Sequence, residues 1–165
     1  MYDRLTKSDI EKIEKEIYER TLKAEELNEA VKAAKAFGDL SENFEYYAAK
    51  RERNINAGRI KYLENMKKTA TIIEDKTAAD QVGLNDEVEL YIIEDDDTMT
   101  ITLVTTILVN PEEDRYSIDS PIGRAIHGKR IGDECVVQPD DGEPYTVRIV
   151  SVTPVDGEKF DIAGY

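Results

Sequence analysis

Residues 38–50 read GDLSENFEYYAAK, and the fold of the chain turns on how this stretch is read. Upstream of it, apolar side chains recur at Ile10, Ile13, Ile17, Ala24, Leu27, Val31 and Ala34. This three-and-four spacing is broken only where Arg20 takes an apolar place. It predicts a helix from Asp9 to Phe37, opened by the capping box Ser8 to Glu11 and closed by Gly38. Downstream, Tyr46, Ala49, Ile60 and Leu63 keep a weaker version of the pattern, with Arg53 and Asn56 between them, as far as Lys67 or Lys68. Helices joined by so short a turn fold back as an antiparallel pair. At roughly 1.5 Å per residue, the first helix holds the turn on the order of 40 Å from its own start. Such a turn is placed to reach something.

The turn carries two carboxylates, Asp39 and Glu42. One reading is structural: Asp-Leu-Ser-Glu has the spacing of a capping box, and acids at a helix start are favoured by the helix dipole. The other is chemical. Two carboxylates are too few to hold Mg²⁺ alone, because the ion keeps octahedral oxygen coordination with several waters, but they suit a site lacking ligands on another molecule. Behind the turn the charge reverses: between residues 50 and 61, Lys50, Arg51, Arg53, Arg59 and Lys61 stand against the single acid Glu52. Tyr46 and Tyr47 have the spacing of residues that brace the partner helix, with base stacking as the alternative.

From Glu87 the period changes to that of strands. EVELYII and TMTITLVTTILV read as a hairpin about the acidic turn Glu94 to Asp97, and RYSID as a further strand. Asp95, Asp96 and Asp97 lack the glycine and distal glutamate of a calcium loop, so a solvated turn is expected. Ser120-Pro121 is an N-cap and first-turn pair for a short helix, Pro121 to His127. ECVVQ and YTVRIVSV flank an Asp141-Gly142 turn. The fold class expected is α+β: a helical coiled-coil hairpin over residues 1–75, then a mostly antiparallel sheet domain with one short helix over 76–165. ATII, Ala70 to Ile73, is a short strand or linker between them.

Composition narrows the function. No apolar run approaches the roughly 20 residues of a membrane span, and the first residues lack the apolar core of a signal peptide, so a soluble cytoplasmic protein is expected. The one cysteine, Cys135, excludes an intrachain disulfide and reads as a small core residue; with the one histidine, His127, it cannot complete a four-ligand structural zinc site. Residues 1–76 hold 16 basic and 16 acidic side chains and residues 77–165 hold 6 and 20, so the whole net charge of −14 lies in the second part. A surface of that sign repels a phosphate backbone, which argues against sequence-specific DNA binding there.

GDLSEN followed by EYYAAK resembles the tip signature of the bacterial GreA/GreB transcript-cleavage factors, and SPIGRAIHGKRIGD, Ser120 to Asp133, is similar to the C-terminal motif of the same family. The resemblance implies an FKBP-like second domain that docks on bacterial RNA polymerase through Ser120, Pro121, Arg124 and Lys129. It also implies a finger that enters the secondary channel when RNA has slid backwards. Asp39 and Glu42 would there complete a Mg²⁺ site shared with the polymerase, no metal being held by the factor alone, with Ser41 and Asn43 in support. Lys35, Lys50, Arg51 and Arg53 would meet the nascent RNA 3′ segment. The polymerase would cut its own RNA, and the factor would not itself be an enzyme.

Between Asp80 and Asn110 the chain departs from the family, with LVTTILVN where a valine-glycine step is usual. That departure motivates the alternative of a regulator that occupies the channel without stimulating cleavage. A prolyl isomerase, allowed by an FKBP-like fold, lacks an evident aromatic pocket, since Phe160 is the only phenylalanine of the second domain.

Overall fold

The computed structural model describes residues 3–38 and 43–164. Two compact units are formed, one of Asp9–Ala70 with residues at the chain ends, the other of Arg4–Ser8 and Thr71–Gly164.

The first unit is built from α1 (Lys7–Lys35), which enters it at Asp9, and α2 (Phe44–Thr69). Their antiparallel sense follows from the cross-links, which descend along one helix as they climb the other: Ala34 to Asn43, Lys23 to Glu52, Arg20 to Asn56, Glu16 to Arg59 and Glu14 to Lys67. Ile13, Leu27, Val31 and Ala34 of α1 and Leu63 of α2 are buried in the seam. Each large one contributes at most about 1.5–3 kcal/mol of transfer free energy. Seam positions between these are polar. Asn56 donates through Nδ2 to the Arg20 carbonyl (2.9 Å) and accepts from the Arg20 guanidinium (3.3 Å). Glu16 takes Arg20 on one oxygen (3.1 Å) and Arg59 on the other (3.3 Å). The seeming defect at Arg20 in the apolar pattern is thus part of a partly buried polar layer shared by both helices. The first helix ends at Lys35 rather than Phe37, because Ala36 and Phe37 close it as a turn ahead of Gly38, whose φ of +110° is open only to glycine at little cost.

In the second unit β1 (Arg4–Leu5) pairs in parallel with β2 (Thr71–Ile72). A five-stranded sheet follows from β3 (Asp86–Ile92), β4 (Asp97–Val104), β5 (Arg115–Ser117), β6 (Glu134–Val137) and β7 (Tyr145–Pro154), in the order β5-β4-β3-β7-β6. All its pairings are antiparallel except β4 with β5. That exception corrects the expected long strand. Since β5 runs parallel to β4, the chain leaves the sheet after Val104 to cross back. TTILV therefore becomes a crossover with a 3₁₀ turn at Thr106–Leu108, its Ile107 and Leu108 buried all the same. The short helix α3 (Pro121–Ile126) begins as expected, with Ser120 Oγ accepting from Gly123 N. Gly123 is required by space: a Cβ there would stand 2.1 Å from the Ser117 carbonyl oxygen. Val88, Leu90, Ile101, Leu103, Ile118, Ile126, Cys135, Val147 and Ile149 form the core. No helix among the described residues is long and apolar enough to cross a membrane.

Candidate functional site

Asp39, Ser41 and Glu42 lie outside the described residues, and what the structure places is their frame. The helix that follows them starts at Phe44, and its N-cap is Asn43, whose Oδ1 accepts from Tyr46 N (3.0 Å). The capping box read at Asp39 to Glu42 lies outside the described residues; at the helix start itself the cap is Asn43, whose side chain reaches the N3 amide directly. The same side chain donates through Nδ2 to the Ala34 carbonyl of α1 (2.6 Å). One amide thus caps the second helix, satisfies an end carbonyl of the first and ties the arms together directly beneath the turn.

Of the basic residues, Lys35, Lys50 and Arg51 are exposed and Arg53 is half-buried. Lys50 Nζ lies 5.9 Å from the Tyr46 ring centre, and Arg53 reaches the side chain of Asn54. Tyr46 and Tyr47 meet edge to face at 5.4 Å. Tyr46 is half-buried, whereas Tyr47 is 49% exposed. With Lys50, Arg51, Asn54 and Ile55 it lines a shallow cavity of about 430 Å³. Two residues that the sequence reading passed over are conspicuous here: Phe37 is 76% and Phe44 85% exposed, one on each side of the acidic turn. Phenylalanine directly against a turn motif was the available signal.

The second motif divides into an exposed part and a structural part. Arg124 and Lys129 are exposed, the former donating to the Asp119 carbonyl (2.6 Å). Ser120 and Pro121 start α3, and Asp119 is held by Arg4 through two guanidinium nitrogens. Residues 127–130, by contrast, seat the segment entering the sheet: Val82 N donates to the Lys129 carbonyl (2.8 Å), Gly128 N to that of Val82 (2.7 Å), and Arg130 pairs with Asp80. Asp75 fastens the same segment by accepting from Thr77 N and Leu84 N. Asp86, accepting from Gly83 N, has its carboxyl pushed above the ordinary range by burial, an effect the Gly83 bond opposes and the nearby Asp75 charge reinforces.

Arg115 was missed altogether. It is 5% exposed, donates to the Leu108 carbonyl (2.8 Å), pairs with Glu113 and lies over the Phe160 ring (4.7 Å), holding the C-terminal segment to the sheet unit. Phe160 is therefore covered rather than lining a proline pocket. The acidic hairpin turn is solvated as expected, with Asp96 in the left-handed region and bonded to Tyr91. Among the described residues no group of three or more His, Cys, Asp or Glu is arranged to hold a metal ion.

Comparison with known proteins places both parts of the chain. The family pattern described as transcription elongation factor, N-terminal, matches residues 4–72, and that described as transcription elongation factor, GreA/GreB, C-term, matches residues 76–154. The transcription elongation factor GreA of Geobacillus kaustophilus is 44% identical over 150 residues, covering 90% of this chain and 94% of the relative. The Bacillus subtilis protein of the same name is 40% identical over 144 residues, covering 87% and 91%. The solved structure of the transcription factor Gfh1 is 24% identical, with a TM-score of 0.46 over 92% of this chain and 97% of that one.

Proposed function

The chain belongs to the GreA/GreB family of transcription elongation factors, and on that premise we propose that it binds a bacterial RNA polymerase in the cytoplasm, enters the secondary channel with the turn of its helical hairpin, and stimulates cleavage of backtracked RNA. The observation that carries this reading is the Asn43 clamp, which joins both arms of the hairpin immediately beneath the Asp39 to Glu42 stretch. A clamp at that point restricts the base of the turn, and catalytic carboxylates need positional restriction more than they need strength of binding.

The factor is not an enzyme on its own in this reading. Asp39 and Glu42 are hard oxygen donors of the kind Mg²⁺ prefers, and two of them complete a partly filled site rather than build one. A Mg²⁺ ion held there would supply charge stabilisation to an in-line phosphodiester displacement. Asp39 would be the leading ligand and Glu42 would orient the water, with Ser41 and Asn43 supporting the turn. The oxygen of water bonds to phosphorus, the P–O3′ bond breaks, and a proton passes to the departing 3′ oxygen. The shortened transcript keeps a 3′-hydroxyl and the released fragment carries the 5′-phosphate. Lys35, Lys50, Arg51 and Arg53 offset phosphate charge of the nascent RNA, and the exposed Arg124 and Lys129 beside Ser120 and Pro121 dock the second unit on the polymerase.

The test is a stalled, backtracked bacterial elongation complex incubated with purified protein. Short 3′ RNA fragments are expected with the wild type and should be largely lost in Asp39→Asn and Glu42→Gln at saturating protein. Wild-type occupancy of the complex without fragments would replace this reading by that of a channel-blocking regulator.

A further inference from the structure

We propose that Phe44 and Tyr47, with Phe37 across the turn, form a stacking surface for the bases of single-stranded RNA, next to the phosphate-facing Lys50 and Arg51. This rests on the function proposed above and adds base contact to it. Phe44 and Tyr47 are three residues apart in α2 and Arg51 four further on, a spacing that puts all three on one helix face. That face is the outer one. Phe44 and Tyr47 are 85% and 49% exposed, whereas the seam side of the same helix buries Asn56, Arg59 and Leu63. Phe37 stands at the same end, because the Asn43 to Ala34 bond holds α1 and α2 together within one turn of it.

Large aromatic surface left in water is unfavourable for the free protein, and among the described residues Phe37 and Phe44 keep most of their surface open while Tyr47 keeps about half. The charges beside them indicate the occupant. Lys35, Lys50 and Arg51 are exposed cations, and among the described residues none of the three makes an ion pair. An apolar protein wall would satisfy the rings but leave those cations against low dielectric. Single-stranded nucleic acid satisfies both, since every base has a π-face and every linkage a phosphate. The shallow cavity between Tyr47, Lys50, Arg51 and Ile55 continues the same face away from the tip. The stacking is indifferent to sequence, which suits a factor that must meet whichever nucleotides have been extruded.

The experiment measures binding of fluorescently labelled protein to a backtracked complex whose extruded 3′ nucleotides are either normal or abasic. It reads occupancy and so does not depend on cleavage. With wild type, abasic RNA should weaken binding about fivefold to tenfold, the range of one modest stacking contact. The double variant Phe44→Ala with Tyr47→Ala should bind normal RNA complexes about as weakly, and abasic nucleotides should weaken it no further. Phe44→Leu, which keeps apolar area but no ring, should not restore binding. Circular dichroism confirms that each variant keeps its helices. Equal losses on normal and abasic RNA, or rescue by leucine, would assign the rings to a protein wall and overturn the inference. Unchanged binding by the double variant would overturn it equally. Failure of the wild type to bind the polymerase at all would refute the function proposed above, and this inference with it.

Discussion

Replacing Asn56 tests whether the polar layer, rather than apolar burial alone, holds the hairpin together. Asn56 is 4% exposed and uses both ends of its amide on Arg20. Asn56→Ala removes both bonds and leaves a void beside a guanidinium that still holds Glu16. Unmaking two part-buried hydrogen bonds should destabilise the helical unit by about 2 kcal/mol at most. Asn56→Leu makes the same deletion but fills the space, and roughly three extra buried carbons at about 0.8 kcal/mol each return about as much. The leucine variant should therefore match or exceed wild-type stability. Its cost appears elsewhere. An apolar seam no longer requires Arg20 opposite position 56, so the variant should populate dimers in which helices of different chains pair. Urea unfolding followed by helical ellipticity gives the stabilities, and sedimentation at several concentrations gives the association state. Equal destabilisation by alanine and leucine would refute the reasoning, as would a leucine variant that is stable and strictly monomeric wherever the wild type is monomeric.

Three further outcomes follow. Charge reversal at Arg124 or Lys129, both exposed, should change stability by no more than about 0.5 kcal/mol while weakening polymerase affinity, measured by titration against the enzyme. Unchanged affinity in both would remove this face from docking. For Asp86, burial above all holds the folded carboxyl above the ordinary carboxylate range, so the folded state holds its proton more tightly than the unfolded chain. The stability this group contributes is then present in the neutral form and is lost as pH rises through its folded range. Asp86→Asn should accordingly equal wild type near pH 3 and gain on it toward pH 6 in thermal melts, whereas a constant difference would contradict the burial argument. Cys135 is buried in the sheet core with its thiol pushed up, chiefly by burial, so it should resist iodoacetamide in native protein and react fully in urea, as read by mass spectrometry.

Both long helices, the N-cap at Ser120 and the turn between β6 and β7 were legible in the sequence because each rests on local chemistry. A three-and-four apolar period, a hydroxyl ahead of proline, and Asp141-Gly142, with Gly142 at φ +115°, act within a few residues of themselves. The acidic turn was equally legible as a motif, and Asp39 and Glu42 keep that standing from sequence alone. What sequence could not decide were pairings between distant residues. Arg20 and Asn56 each look like a fault in an apolar stripe, and only the antiparallel seam, bringing residues 36 positions apart into hydrogen-bond contact, turns two faults into one layer. LVTTILV has strand propensity, yet the parallel placement of β5 beside β4 forces the chain out of the sheet there. Arg115 reads as a surface cation until the C-terminal segment folds over it. The exposure of Phe37 and Phe44 is likewise tertiary, for an apolar residue near a turn becomes a surface only when no other element arrives to cover it.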